Sequence, residues 1–490
     1  PYIDTYHCLR MEMEALRWYL EEDRVDIGLL DVPDREGVVS FKSLDMYSRE
    51  EIGHLMLGVS VSPVYTIRDM AKQAGANEFS LQDLASFIRN SKSQALSLIR
   101  ELMAYGYVAY DPANEWVVLL PRFDHLLRVL ARKADFDELE FVTTEPGIVK
   151  ATMNLDSLVL KMSGVPAVLL SRKQNMYVKP EDSTVEIYKN RDFHFDGMLN
   201  AGVFNFDVRG GCFYYDDFRV DVADVQRLGL YVRKVEDGEV KERPVLAKFR
   251  YLAGKIYIDD PANKGGRLDF PQYPLMESSQ PSYVYYDEPY VQGGAYKADS
   301  FYFRVDPFRL PDMNTMEIDS IRFPGTLVSG GILPDIRDEL HVMPDYSLGF
   351  SQHSPQEGWS AYDDMALFTG RITLDNSGLW GAGCFDYRSS ESSSDRMTFR
   401  PQDMDRTFLL SAGQGSGVEY PWMEGRGVDG FFERGNGTFK ASSVKDSLLR
   451  IFNKDWRLQG SYVFSPSCSW AQGALRKQEE AQVSSGCFSV

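Results

Sequence analysis

The sequence has few of the patterns on which enzyme and metal chemistry depend. Its six histidines (His7, His54, His125, His194, His341 and His353) include no i,i+2 or i,i+4 pair, and none lies in an HExxH segment, so no zinc site is expected. His194 stands between Phe193 and Phe195 and reads as an ordinary strand histidine. No GxSxG elbow is present, because Gly413-Gln-Gly-Ser416-Gly has its serine one position late. No P-loop, no GxGxxG after a strand and no EF-hand loop occurs, and Gly435-Asn-Gly437 is too short a fragment to count. No cofactor and no metal are expected.

Basic residues are scarce relative to acidic ones. There are 53 Lys and Arg against 72 Asp and Glu, a formal net charge of −19. Phosphate backbones and anionic membrane surfaces attract cationic proteins, so both are disfavoured as partners. The charge serves solubility. Cysteine is also sparse. Five occur (Cys8, Cys212, Cys384, Cys468 and Cys487), with no CxxC and an odd total, so no disulfide framework is expected. Cys468 and Cys487 are close enough in sequence to pair; otherwise the thiols read as free. No apolar run approaches the ~20 residues of a membrane helix. The best candidate, 155–170, is interrupted by Asp156 and Lys161, so the chain is not expected to span a membrane.

Aromatic residues are abundant, with 27 Tyr and 29 Phe in 490 residues, which favours strands. The length implies about two to four domains. The most informative feature is repetition. Gly197-Met-Leu199-Asn-Ala201-Gly202 reappears as Gly325-Thr-Leu327-Val-Ser329-Gly330, an offset of 325 − 197 = 128 residues. Gly370-Arg-Ile372-Thr-Leu374 followed by Trp380-x-x-Gly383 matches Gly460-Ser-Tyr462-Val-Phe464 followed by Trp470-x-x-Gly473, an offset of 460 − 370 = 90 residues. A glycine inside an alternating pattern marks a bulge, a bend or a close backbone approach. Trp380 and Trp470 are expected to fill a recurring inward pocket. The chain begins at Pro1, and the last copy stops near Val490. Both ends therefore look cut, and the expectation is a piece of a longer protein.

The segment 1–140 reads as a helical module. Ile3, Tyr6, Leu9, Met13, Leu16 and Leu20 recur at three- and four-residue spacing, a helical stripe. Ser48-x-x-Glu51 reads as a capping box. Ser80-Leu-Gln-Asp83 opens a helix, and a second helix ends at Gly106. A ribbon over 107–120 follows. This order over 63–122 is that of a winged helix. Its 91–104 helix carries only Lys92 and Arg100 as bases, opposed by Glu101, so it reads as a structural or protein-docking element.

From 151 onward, short alternating segments imply strands with one buried face: a first β-repeat region over 151–260 and a further one over 300–490. Strands are expected at 184–188, 193–195, 213–220, 228–232, 247–251 and 255–257. Arg209-Gly-Gly211 and 235–238 are expected turns, and 413–417 a flexible one. Between the two regions, 261–299 reads as an irregular Pro/Tyr-rich insertion. The fold class expected is α+β, mainly β: a helical, winged-helix-like module followed by an elongated antiparallel β-repeat or solenoid-like region. Tandem sandwiches are the alternative.

The Gly-led alternating repeats over 151–490 resemble the β-repeat regions of AsmA/TamB-like cell-envelope proteins, and also large envelope proteins of Bacteroidetes type. The resemblance implies a periplasmic or cell-surface groove or shaft that carries lipid or scaffolds other envelope proteins, and it transfers no catalytic residue. The N-terminal helical segment is not part of that pattern. Tyr283, Tyr285, Tyr286, Tyr290 and Tyr296 cluster in the insertion beside Asp287 and Glu288. Aromatics with carboxylates suit stacking on sugar rings, and suit protein contacts equally. The acidic doublets Asp216-Asp217, Asp259-Asp260 and Asp363-Asp364 form no natural dyad, because neighbours on a strand face opposite sides. The expected function is therefore a non-enzymatic envelope scaffold, adhesin-like protein or ligand carrier, with carbohydrate binding or cleavage as the alternative.

Overall fold

The computed structural model describes residues 2–31, 37–46, 63–144, 146–236, 239–245, 248–413, 422–445, 447–452, 455–467, 469–477 and 480–489. The chain is mainly β with large antiparallel sheets. It divides into two compact units: Pro1–Asp224, Gly254–Glu277 and Arg309–Thr315 form unit 1, and Val225–Ala253, Ser278–Phe308 and Met316–Val490 form unit 2. No described helix is long and apolar enough to cross a membrane.

The start of unit 1 differs from the expected helix. Tyr2–Asp4, Leu9–Glu12, Ala15–Tyr19 and Arg24–Gly28 are strands. The helical spacing arises where a turn at 5–8 resets the phase of alternating segments. Leu9 and Met11 are buried while Arg10 and Glu12 are exposed, a period of two. The expected capping box at Ser48–Glu51 lies outside the described residues.

Helices α1 (Pro63–Ala74), α2 (Leu81–Phe87), α3 (Lys92–Ala104) and α4 (Pro121–Leu130) follow. Ser80 caps α2 by accepting from Asp83 N, and Ser91 with Gln94 forms a full capping box on α3. Gly106, at φ +73°, takes the left-handed position that ends α3. The helices and the three strands Glu78–Ser80, Val108–Asp111 and Trp116–Leu119 enclose Ile67, Leu84, Ile99, Leu102, Val117 and Phe123, all fully buried.

The main sheet of unit 1 pairs its strands antiparallel. The first repeat copy is the hairpin Phe193–Ala201 with Phe204–Tyr214. The second, in unit 2, is Phe323–Val328 with Ile336–Val342. Gly202 and Gly330 end the first strand of each copy at φ +62° and +64°. A side chain there would meet the Met313 carbonyl oxygen at 2.2 Å or that of Ser300 at 2.9 Å. Arg209-Gly-Gly211 is not a turn: it lies within a strand, where Gly210 forms a bulge and donates its N–H to Asp196 Oδ1 at 2.6 Å. The turn lies at 215–218, so the strand expected over 213–220 is two strands.

Most of unit 2 is a 17-stranded sheet whose strand order follows chain order from Lys248–Arg250 to Glu480–Ser489. Its buried face is packed with aromatics. Phe368, Phe385, Phe399, Phe432, Phe439 and Phe464 are each at most 1% exposed, so the apolar side is filled with side chains. The 90-residue repeat has a direct structural counterpart. Gly370 stands opposite Gly383, and Gly460 opposite Gly473, each pair at the centre of a long hairpin. All four lie between φ +143° and +157°, and an added Cβ would meet a partner-strand carbonyl oxygen at 2.0–2.3 Å. Glycine is therefore required by both conformation and close approach.

Trp380 and Trp470 do not point inward as expected. Leu379 on one hairpin, and Ser469 and Ala471 on the other, are the buried neighbours, which leaves the tryptophans on the opposite face. Trp380 donates Nε1–H to Asp375 at 3.0 Å and lies under Arg396, and Trp470 is 36% exposed. The insertion also contains more order than its composition suggests: Leu275–Ser278 and Ser282–Tyr285 are strands. Cys8, Cys212 and Cys384 are free thiols, as read from the sequence, and the alternative of a Cys468–Cys487 pair rests on Cys468, which lies outside the described residues.

Candidate functional site

In unit 2 the strands Lys248–Arg250, Ser282–Tyr285, Tyr302–Val305, Phe323–Val328 and Ile336–Val342 lie side by side. Phe249, Val284, Phe303, Val305, Phe323 and Leu327 are buried beneath them. Alternation then sends Arg250, Tyr283, Tyr285, Tyr302, Arg304, Thr326 and Arg337 to the outer face. The ring of Tyr283 lies 5.5 Å from Tyr302 and 6.3 Å from Tyr285, and Tyr285 lies 6.3 Å from Tyr302. Tyr251, at φ +57° just past the first strand, brings its ring to 6.0 Å from Tyr283 and is 62% exposed. Four phenol rings thus form one platform. Partial burial, then the neighbouring Tyr251, Tyr283 and Tyr302, push the Tyr285 phenol up, so its hydroxyl keeps its proton and can both donate and accept.

The five tyrosines singled out in the sequence separate. Tyr283 and Tyr285 join the platform, and Tyr290 stands exposed on the turn that follows. Tyr286 and Tyr296 are core residues. Tyr286 OH donates to Leu348 O at 2.9 Å, and Tyr296 OH donates to Phe399 O at 2.6 Å while accepting from Leu379 N at 2.9 Å. Burial pushes both phenols up. Tyr251, Tyr302 and Arg304 went unnoticed in the sequence. Tyr302 and Arg304 lie at the start of the expected second β-repeat region, and their period-two spacing is the signal that puts them on one face.

Unit 1 holds a second polar cluster, which is closed. The Arg191 guanidinium stacks 3.5 Å from the Tyr215 ring centre and donates from Nη1 to Asp45 Oδ2 at 2.7 Å and Ser43 Oγ at 2.9 Å. Asp137 Oδ2 accepts from Ser43 Oγ and Tyr215 OH, both at 2.6 Å. His125 Nδ1 lies 3.4 Å from Asp45, and Lys264 Nζ lies 4.7 Å from the Tyr215 ring. Burial raises the Asp45 carboxyl, but Arg191 and His125 outweigh it and hold the group below its ordinary value. Burial depresses His125 and Lys264. The cluster ties distant segments of unit 1 together.

The acidic doublets have structural roles. Asp259 is buried, with Oδ1 accepting from Asn263 and Oδ2 from Gln174, and Asn263 in turn pins Leu268. Asp363 pairs with Arg434, Asp217 with Arg219, and Asn190 donates to Asp216 at 2.9 Å. A carboxylate pair absent from the sequence reading is Asp386 and Glu391, directly opposite on adjacent strands. Burial, then the charge of Glu391, raises the Asp386 carboxyl. These two lie several strands further along the sheet than the tyrosines.

No protein family, characterised protein or solved structure matches this chain significantly.

Proposed function

We propose that this chain is a non-enzymatic, carbohydrate-binding β-repeat protein of the cell envelope, at the periplasmic or outer surface. In this reading the winged-helix-like segment is a docking module, and the elongated meander is the body that presents the ligand surface. The observation that carries the proposal is the outer-face platform of Tyr251, Tyr283, Tyr285 and Tyr302, with ring centres 5.5–6.3 Å apart. Flat phenol rings cover the apolar faces of sugar rings, and their hydroxyls bond to sugar hydroxyls. Lipid carriage has less support, because the apolar face of the sheet is filled by its own phenylalanines. The distance in strand order between the platform and Asp386/Glu391 favours binding over cleavage.

The test is affinity electrophoresis of the purified chain through gels containing envelope polysaccharides. Retardation that is lost in a Tyr283→Ala/Tyr302→Ala variant and kept in Tyr290→Ala supports the reading. Unchanged retardation in the double variant, or none with the native chain, removes it.

A second reading, a scaffold for envelope proteins, is favoured by Leu16 and Trp18, which are 50% and 62% exposed on the sheet-edge strand Ala15–Tyr19. An exposed apolar edge is a site for strand addition by another chain.

A further inference from the structure

We infer that the saccharide bound at the tyrosine platform is acidic, with carboxylates on its rings. The inference rests on the carbohydrate reading above and adds the charge of the ligand. Its basis is a row of residues that runs across the strands. Arg250 stands opposite Tyr283, Tyr283 opposite Arg304, Arg304 opposite Thr326, and Thr326 opposite Arg337. With neighbouring strands ~4.8 Å apart, the row extends about 19 Å from Arg250 to Arg337. It holds three guanidinium groups and no carboxylate, in a chain whose formal net charge is −19. Tyr285 and Tyr302 form the adjoining row.

The three arginines differ in how far they are already engaged. Arg250 Nη1 donates to Gln226 O at 3.0 Å and is held in place. Arg337 Nη2 donates to Asp306 Oδ2 at 3.0 Å, a pair in which the arginine is 77% exposed. Such surface pairs contribute little and exchange readily for a ligand carboxylate. Arg304 is exposed, and it pairs with no carboxylate among the described residues. Its planar fork, beside the Tyr283 and Tyr302 rings, matches a carboxylate carried on a sugar stacked on those rings. A neutral sugar would leave this guanidinium unused. A nucleic-acid strand fits less well: the basic row is one residue wide, and Glu339 stands in the next row opposite Pro324, whereas backbone recognition needs repeated neutralisation of phosphates.

The experiment compares ligands that differ only in charge. Binding of the native chain is measured by calorimetry against polygalacturonate and its fully methyl-esterified form, hyaluronate and its carboxyl-reduced form, and an oligothymidylate. Arg304→Ala, Arg304→Lys and Tyr302→Ala are measured alongside, with circular dichroism and melting curves to establish that each variant folds. The expected result is binding of at least one acid form, at least tenfold weaker binding of its neutral counterpart, and a loss of about 10- to 100-fold in Arg304→Ala. Arg304→Lys should recover part of that loss. Raising NaCl to about 0.5 M should weaken the acid form and leave the neutral form unchanged.

Equal binding of acid and neutral forms, with Arg304→Ala silent and Tyr302→Ala impaired, overturns the inference and leaves the platform reading standing. Binding of no saccharide overturns both. Preference for oligothymidylate overturns both in favour of a nucleic-acid ligand.

Discussion

Arg191 lies with its guanidinium carbon 3.5 Å from the centre of the Tyr215 ring, while its Nη1 reaches Asp45 and Ser43. Removing this cation leaves the buried Asp137 and the half-buried Asp45 without their main counter-charge. Arg191→Met is expected to lower the stability of unit 1 by about 3–5 kcal/mol, read from urea unfolding. A change below about 1 kcal/mol would mean that the network is not a structural tie.

The same cluster sets a pH dependence. The folded pKa of His125 is depressed by burial, so the unfolded chain binds more protons below about pH 6.5. Stability is therefore fully present above that pH and falls as pH drops through the folded value of His125. Asp45, also depressed but by Arg191 and His125, adds a second loss as pH falls below about 3.9. Melting temperature against pH should show the first slope in the native chain and a shallower one in His125→Asn. Identical slopes would remove His125 from the account.

Platform and core tyrosines should respond in opposite ways. Tyr302→Ala is expected to weaken saccharide binding about 3- to 10-fold with little change in melting temperature, because its ring lies on the outer face. Tyr286→Phe removes the donor to Leu348 O and should cost about 1–3 kcal/mol of stability with binding unchanged. Paired calorimetry and thermal melts distinguish the two, and a swapped pattern would move the site off this face.

The glycine pairs give a further stability prediction. Gly383→Ala and Gly473→Ala each place a methyl group against a partner-strand carbonyl in a conformation that L-residues avoid, at a cost of about 1–3 kcal/mol or more. Gly435→Ala, which meets nothing within 4 Å, serves as the control and should be near neutral. Equal effects in all three variants would contradict the close-approach account.

The parts of the fold legible in the sequence were those set by local chemistry. Ser80 announced its helix through capping, Gly106 announced an end, and alternation announced most strands; the Ser91 cap of the next helix went unread. Ile3 to Leu20 misled because short alternating segments, separated by the turn at 5–8 and the bend at 13–14, happen to repeat at helical spacing. Trp380 was recognised as recurring but assigned to the wrong face, since a one-residue shift in phase reverses every side chain. Tyr283 and Tyr285 were found because they lie two residues apart in one short segment. Arg304 was not, because its neighbour Tyr283 becomes visible only once the two strands are in register. The Arg191 network was out of reach: Arg191 and Ser43 are 148 residues apart, Tyr215 and Asp137 are 78 apart, and no local pattern links them.

The opposed glycines also bear on how such a chain came to its present length. Gly473 faces Gly460 on one side and Gly486 on the other, so a single column of glycine passes through three successive strands. In the earlier copy Gly370 faces Gly383, and Gly383 faces Ser394. A hairpin that carries its own glycine at the shared position brings its own compatibility with the next hairpin. Gene segments encoding such hairpins can be copied in tandem and remain foldable, and the ancestry of the body is then recorded in the spacing of one residue type.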